Sequence, residues 1–354
     1  MEKLDKLREQ AKALKAQNPR LRARNLATEL GISEAELLSL SLGENVIRLE
    51  GDFKQLLIDV KEMGYVMALT RNEGCVHERK GVYDNITFYD GPANMGVAVN
   101  PDIDLRFFMN EWVYALAVSM DRGKMGMLYG LQFFNAQGEA VHKIYSTPQS
   151  NIEAYHKLVD TYRAEEQAPI IDLPAYTPKQ NEKVSDEEID VASFQQEWLD
   201  LQDTHDFFGM LRKYKLDRTQ ALRLAPAGPA EAVPLSSVQS VLEFCQQKEV
   251  PIMCFVHSKG CIQIHSGPVK NLKQMEQWFN VLDPAFNLHL NMDEVAKAWI
   301  VRKPTADGIV TSLELFDEDG ELVVYFFGAR KPGKPELQGW RDAIDSLQKS
   351  TVAH

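Results

Sequence analysis

The hydrophobic pattern of this chain changes period several times, and the changes come in the same order twice. "LGISEAELLSL" (Leu30 to Leu40) spaces its apolar residues for a helix, with Ser33 and Glu36 in the arrangement of a capping box at its start. "YKLDRTQALRL" (Tyr214 to Leu224) has the same form, with Asp217 and Gln220 in those places. Further along each half a β-rich run is interrupted by a glycine turn, "RNEGCVH" (Arg71 to His77) and "HSKGCIQ" (His257 to Gln263). "DLRFFMNEW" (Asp104 to Trp112) is then answered by "NLHLNMDEVAKAW" (Asn287 to Trp299). "GLQFFNAQGEAVHKIY" (Gly130 to Tyr145) is answered by "SLELFDEDGELVVYFF" (Ser312 to Phe327), both strand, polar Gly turn, strand. A terminal helix follows in each half, over about Asn151 to Arg163 and Glu336 to Lys349. Matches in one order predict an internal duplication: an α+β fold of two homologous halves, each with helices leading into an antiparallel sheet.

Between the halves, "AEEQAPIIDLPAYTPKQNEKVSDEEIDVAS" has no helical or strand period and is rich in acids. It reads as a linker over 164–193, between an N-terminal repeat at 1–163 and a C-terminal repeat at 194–354. A chain of 354 residues also exceeds what one core usually serves.

Composition narrows the function classes. The apolar runs fall short of the roughly 18 residues of a membrane span. The opening "MEKLDKLREQAKALKAQNPR" has no apolar signal region, and Cys75, Cys245, Cys254 and Cys261 form no CxxC or CxxCH, so a cytoplasmic location is expected. A net charge of −12 works against a general polyanion binder. Residues 1–24 are locally basic, and "ARNLATELGISEAELLSLSL" has the look of a helix-turn-helix, which keeps a DNA- or partner-binding regulator as one reading. Its would-be recognition helix carries Glu34 and Glu36, so nucleic acid is not the expected partner. GxGxxG, P-loop and GxSxG motifs are absent.

The candidate chemistry centres on "LQDTHDFFGMLRKYKLDR", where His205 has no counterpart in the first half. With Asp203 or Thr204 as N-cap, His205 falls in the first helical turn, with Phe208 and Arg212 on its side. It is either a surface or capping histidine, or an axial ligand to haem iron with Phe covering the porphyrin. Haem propionates would need cations, which Arg218, Lys303 and Arg330 supply unless each is a solvated surface charge. Strand alternation puts Arg106 on one face with Asp104 and Phe108. Either a salt bridge to Asp104 or a polar group facing an iron-bound ligand would account for it. In "HSKGCIQIH", His257, Cys261 and His265 lack zinc-site spacing, and a buried thiol in a sheet is expected.

The strings "RNEGCVHE", "NPDIDLRFFMNEW", "QDTHDFF", "AWIVRKPTADGIVTSLELF" and "GWRDAI" together resemble the cytoplasmic haemin-transport and haemin-degrading factors of Gram-negative haem-uptake systems (HemS/HmuS/ChuS type), from about residue 20 to 347. The resemblance implies two homologous halves with large antiparallel sheets, stacked, and haem b bound without covalent attachment. It places the proximal ligand at His205, the distal Arg at Arg106 beside Phe108, and propionate-side cations at Arg218, Lys303 and Arg330. Where relatives have "YGQR" this chain has "FGAR", so Phe327 lacks a hydroxyl and Tyr325, on the same strand face, is expected to compensate. The implied function is a carrier that receives haem from the importer and passes it to a haem oxygenase or other acceptor. The alternative is an enzyme that opens the porphyrin, with Arg106 acting on the distal side and electrons from an external donor.

Overall fold

The structure is a computed structural model that describes residues 2–19, 21–174, 184–331 and 333–351. It contains the duplication in full. The first copy has strands β1 (Val46–Leu49), β2 (Gly64–Arg71), β3 (Cys75–Val82), β4 (Ile86–Phe88), β5 (Met95–Val99), β6 (Asp104–Phe108), β7 (Tyr114–Asp121), β8 (Met127–Phe134) and β9 (Ala140–Ser150). The second has β10 (Ala230–Val233), β11 (Ile252–His257), β12 (Cys261–Gly267), β13 (Leu272–Met275), β14 (Trp278–Leu282), β15 (Phe286–Asn291), β16 (Lys297–Thr305), β17 (Gly308–Phe316) and β18 (Leu322–Gly328). The antiparallel pairs β1–β7, β7–β8, β8–β9, β9–β2, β4–β5 and β5–β6 recur as β10–β16, β16–β17, β17–β18, β18–β11, β13–β14 and β14–β15.

The repetition reaches single residues. The β8–β9 ladder is irregular at Phe133/Phe134 and the β17–β18 ladder at Leu315/Phe316, the aligned positions. The turns that follow are closed alike, by Gly138 N–H donating to the Asn135 carbonyl and Gly320 N–H to the Asp317 carbonyl. Both glycines have positive φ, 77° and 85°, a conformation that side-chain-bearing residues adopt at a cost.

Helices repeat likewise. The first copy has α1 (Glu2–Gln17), α2 (Ala23–Leu30), α3 (Glu34–Ser39), α4 (Phe53–Asp59) and α5 (Ile152–Tyr162). The second has α6 (Val191–Leu199), α7 (Asp206–Tyr214), α8 (Arg218–Leu224), α9 (Ser237–Gln247) and α10 (Gln338–Thr351). Ser33 and Glu36 form the expected capping box. Asp217 caps α8 through the Gln220 N–H, but the Gln220 side chain turns away to the Val184 carbonyl and Asp186. None of the described helices is long and apolar enough to cross a membrane.

By compactness the chain divides into two units: residues up to 71 with 78–177 and 257–263, and residues 72–77 with 178–256 and 264 onward. In the first, α4 and α5 bury Leu56, Leu57, Leu158 and Val159 with Ala115, Ala117, Leu131 and Phe133 of the sheet. The opposite face, carrying Leu116, Val118 and Phe134, is covered by Ala35 of α3. In the second, α9 and α10 (Val241, Leu242, Trp340, Ile344) pack with Ile300, Leu313 and Leu315. Its other face, with Val301 and Phe316, is covered by Phe207 and Met210 of α7 and Leu222 of α8. A strand covered on both faces reads as a continuous apolar run, which is why "LYGLQFF" and "SLELF" show little alternation. Each fully buried Leu or Phe stabilises such a layer by roughly 1.5–3 kcal/mol.

The ends of the expected linker are anchored. Ile170 is buried and exchanges hydrogen bonds with the Ser39 hydroxyl, in the first unit. In the second, Asp186 binds Arg223. Residues 175–183 of that segment lie outside the described residues. The helix-turn-helix look of α2 and α3 resolves into sheet packing, because Glu34 pairs with Lys143 of β9 and both are nearly buried.

Candidate functional site

His205 does not sit inside the first turn of α7, as the sequence suggested; it is the residue from which the helix starts, and its side chain caps nothing. A turn closed in both directions sets it there: Asp203 N–H donates to Asp206 Oδ2, and Asp206 N–H to the Asp203 carbonyl. Asp203 Oδ1 accepts both the His205 backbone N–H at 2.8 Å and the ring Nδ1 at 2.6 Å. The Asp203 carboxyl lies below its usual range, chiefly through the His205 backbone N–H, with the ring and Arg330 contributing against desolvation. With its Nδ1 proton directed to Asp203, the imidazole keeps the Nε2 lone pair for an outside partner. The side chain is 89% exposed.

One turn on, the two Phe residues diverge. Phe207 is fully buried against Trp198, whereas Phe208 is 50% exposed. Arg218, the first residue of α8, lies over Phe207, Phe208 and Tyr325, with its guanidinium carbon 5.4, 5.6 and 5.7 Å from the ring centroids. Tyr325 in turn stacks on Phe255 at 4.8 Å, and Phe327 meets both rings edge-on. The Tyr325 ring therefore shares this aromatic wall with Phe327, as strand alternation on β18 required.

Below Arg218 lies a group that reading the sequence missed. Glu314 of β17 is fully buried and accepts Arg218 Nε at 2.8 Å on Oε2 and Arg218 Nη2 at 2.7 Å on Oε1. Oε1 also receives Lys303 Nζ at 3.2 Å and the Ser312 hydroxyl at 2.7 Å. Lys303 is itself buried, with Nζ 4.4 Å from the Phe207 ring centroid. Burial alone would raise the Glu314 carboxyl, but Arg218 and then Lys303 outweigh it and hold it well below the usual carboxylate range. Burial likewise opposes the Arg218 charge, and Glu314 more than offsets it. For Lys303, burial together with repulsion from Arg218 prevails over Glu314 and brings the ammonium down to about 8. Arg218 and Lys303 are thus neither solvated surface charges nor free cations, but members of one buried triad. Arg330 is more open and lies 3.6 Å from Asp307 Oδ2.

The structure gathers His205, Arg218, Lys303, Tyr325 and Arg330 in the second unit, and adds Asp203, Phe207, Phe255 and Glu314. The signal for Glu314 was a lone acid within the apolar run "SLELF", the kind of exception that drew attention to Arg106. Arg106 belongs to the first unit. On β6 it shares the partly open face with Asp104 and Phe108, while Leu105 and Phe107 are buried. It pairs with Asp104 and donates to the Leu105 carbonyl at 3.1 Å. Burial raises the Asp104 carboxyl despite that pairing. Cys261 is a buried thiol that accepts the Thr70 hydroxyl, 3.7 Å away.

Comparison with known proteins identifies the family and finds the duplication again. Residues 31–162 and 215–347 each match the family described as the Haemin-degrading HemS.ChuX domain. The Hemin transport protein HemS of Yersinia enterocolitica is 38% identical over 347 residues, covering 98% of both chains. Among solved structures, holo-PhuS, a heme-binding protein from Pseudomonas aeruginosa, superposes with a TM-score of 0.92 at 44% identity, over 97% of this chain and 99% of that one. ChuS, an E. coli heme oxygenase, gives 0.85 at 34% identity, over 96% and 98%. With the family matched once in each copy, and full-length relatives well above 30% identity, this chain belongs to the Haemin-degrading HemS.ChuX domain family as a tandem pair of its domains.

Proposed function

We propose that this chain binds haem b without covalent attachment, with His205 as the axial ligand, and carries it between an importer and an acceptor such as a haem oxygenase. The observation that carries the reading is His205 itself: an exposed imidazole whose Nδ1 is tied to Asp203, so that Nε2 is offered outward. The surroundings suit the cargo. Phe208, Tyr325 and Phe327 supply ring faces, and Arg218 with Arg330 supplies charge for the propionates. Lys303 is proposed for the same propionate side, buried behind Arg218 on the carboxylate they share. Arg106 and Phe108 are proposed for the distal side, on the strength of the partly open face they share on β6. A single neutral imidazole with exchangeable ionic contacts holds a porphyrin and still permits transfer. The four free, buried cysteines suit a reducing cytoplasm, where we place the protein.

The enzymatic reading, opening of the porphyrin with electrons from an external donor, is favoured by one observation beyond the name of the ChuS relative. The Asp203 carboxylate on Nδ1 makes His205 a stronger electron donor, which tightens its hold on the iron and would also favour oxygen chemistry there.

The deciding experiment is the absorption and electron paramagnetic spectrum of the ferric haem complex of His205→Ala. Loss of the wild-type axial signature is expected, and an unchanged signature would overturn the assignment. Incubation with reductant and oxygen in the presence of catalase separates the two readings. Haem that persists through the incubation identifies the carrier, whereas turnover to a linear tetrapyrrole identifies the enzyme.

A further inference from the structure

The triad under α8 holds two cations and one carboxylate, so it retains one positive charge in an enclosure of aromatic rings. A buried net charge is costly unless an anion joins it. Arg218 is held side-on: Nε and Nη2 are committed to Glu314, and because the guanidinium is a rigid plane this also fixes Nη1, which the clamp does not use.

The first copy shows that the fold does not require this clamp. The first residue of α3, aligned with Arg218, is Glu34; the strand positions aligned with Glu314 and Tyr325 are Gln132 and Lys143. Glu34 and Lys143 pair with each other, and Arg71 and Arg24 also act on Glu34. Gln132 is buried on the same face as Glu314, so an uncharged amide is accommodated at that position of the sheet. The second copy therefore carries a carboxylate clamp on an arginine that the same scaffold does without.

We propose that Glu314 is a positioning residue for the ligand carboxylate: by holding Arg218 side-on it presents Nη1 to one carboxylate, and the residual charge of the triad sets the number taken there at one. This rests on the haem-binding reading and names the feature of the porphyrin that the site selects, a single ionised propionate.

The test titrates the full-length protein with haem, its two monomethyl esters and its dimethyl ester. For the wild type, the dimethyl ester is expected to bind about tenfold or more weaker than haem, the value of one charge-assisted contact. At least one monoester should bind within about threefold of haem, because the second propionate meets only Arg330, an open cation already beside Asp307. In Glu314→Gln, Lys303, already brought down to about 8 by burial and Arg218, loses the carboxylate that keeps it protonated, so the charge stays at one and only the clamp is lost; the haem affinity should then fall while the dimethyl ester affinity holds, so that their ratio approaches one. Glu314→Asp, which keeps the charge but draws the clamp back, should give an intermediate ratio and serves if the amide variant does not fold. A purely structural role would weaken haem and diester equally; that result, a wild-type ratio retained in Glu314→Gln, or two monoesters as weak as the diester would overturn the proposal. The His205→Ala spectrum keeps the two claims apart. Unchanged ligation there defeats the haem site as a whole, whereas lost ligation with an unchanged ester ratio in Glu314→Gln defeats only the role of Glu314.

Discussion

Replacing Arg218 with Ala should destabilise the second unit in a way that depends on pH. The substitution removes both charge-assisted hydrogen bonds from Arg218 to Glu314 and leaves that carboxylate with Lys303 at 3.2 Å and Ser312 at 2.7 Å. Breaking a buried pair from one side costs about 3–5 kcal/mol; because Lys303 still faces the carboxylate, the lower figure of about 3 applies. Glu314 is held far below its ordinary value of 4.5, so its folded pKa is the depressed one. The stability it contributes is then present in full above that ordinary value and is lost as pH falls below it. The gap between wild type and Arg218→Ala should therefore be about 3 kcal/mol at pH 7 and should narrow as pH falls below 4.5. Urea unfolding of both proteins at pH 7 and 3.5 measures this, with tryptophan fluorescence as the signal, since Trp198 packs against Phe207 at 4.8 Å between ring centroids. A gap of the same size at both pH values would refute the electrostatic account and assign the cost to lost packing over the rings.

Two further perturbations address the site and its frame. Asp203→Ala releases the imidazole from its only described carboxylate and should weaken haem binding roughly 10- to 100-fold while leaving His205 as the ligand; an equilibrium titration that shows no change would reduce Asp203 to a turn residue. Gly328→Ala brings a Cβ to 2.6 Å from the Trp340 Cβ and should destabilise the protein by about 1–3 kcal/mol, with the spectrum of the haem complex unaltered. A melting temperature equal to the wild type would contradict the tight packing of α10 on β18.

Most of the fold was legible because it is written twice. A capping box, a glycine turn and a hairpin are weak signals singly, yet in one order in both halves they identify the duplicated sheet. The site was legible only in part. Alternation alone placed Arg106 with Asp104 and Phe108. The turn that makes His205 the start of α7, rather than part of it, depends on hydrogen bonds between Asp203 and Asp206 that composition does not rank above other caps. The triad was out of reach for a different reason. Arg218, Lys303 and Glu314 are distant in sequence, and the two cations look like surface charges until α7 and α8 are known to cover the Glu314 face of the sheet.

The opposite polarity of the two copies has a consequence for how such a chain reaches its native state. A tandem duplication invites each helical pair to dock on the wrong copy of the sheet, a recurrent failure of repeat proteins. Here the exchanged arrangements are repulsive: α8 on the first sheet would bring Arg218 to Lys143, and α3 on the second would bring Glu34 to Glu314. Like charges brought together out of water cost several kcal/mol. Reversing one pair, Glu34→Lys with Lys143→Glu, retains the native attraction and removes the penalty, so its refolding should yield more misassembled and aggregated chain. An unchanged yield would count against the idea. The charge difference between the copies then acts as an address label, telling two nearly identical surfaces apart while the chain is still folding.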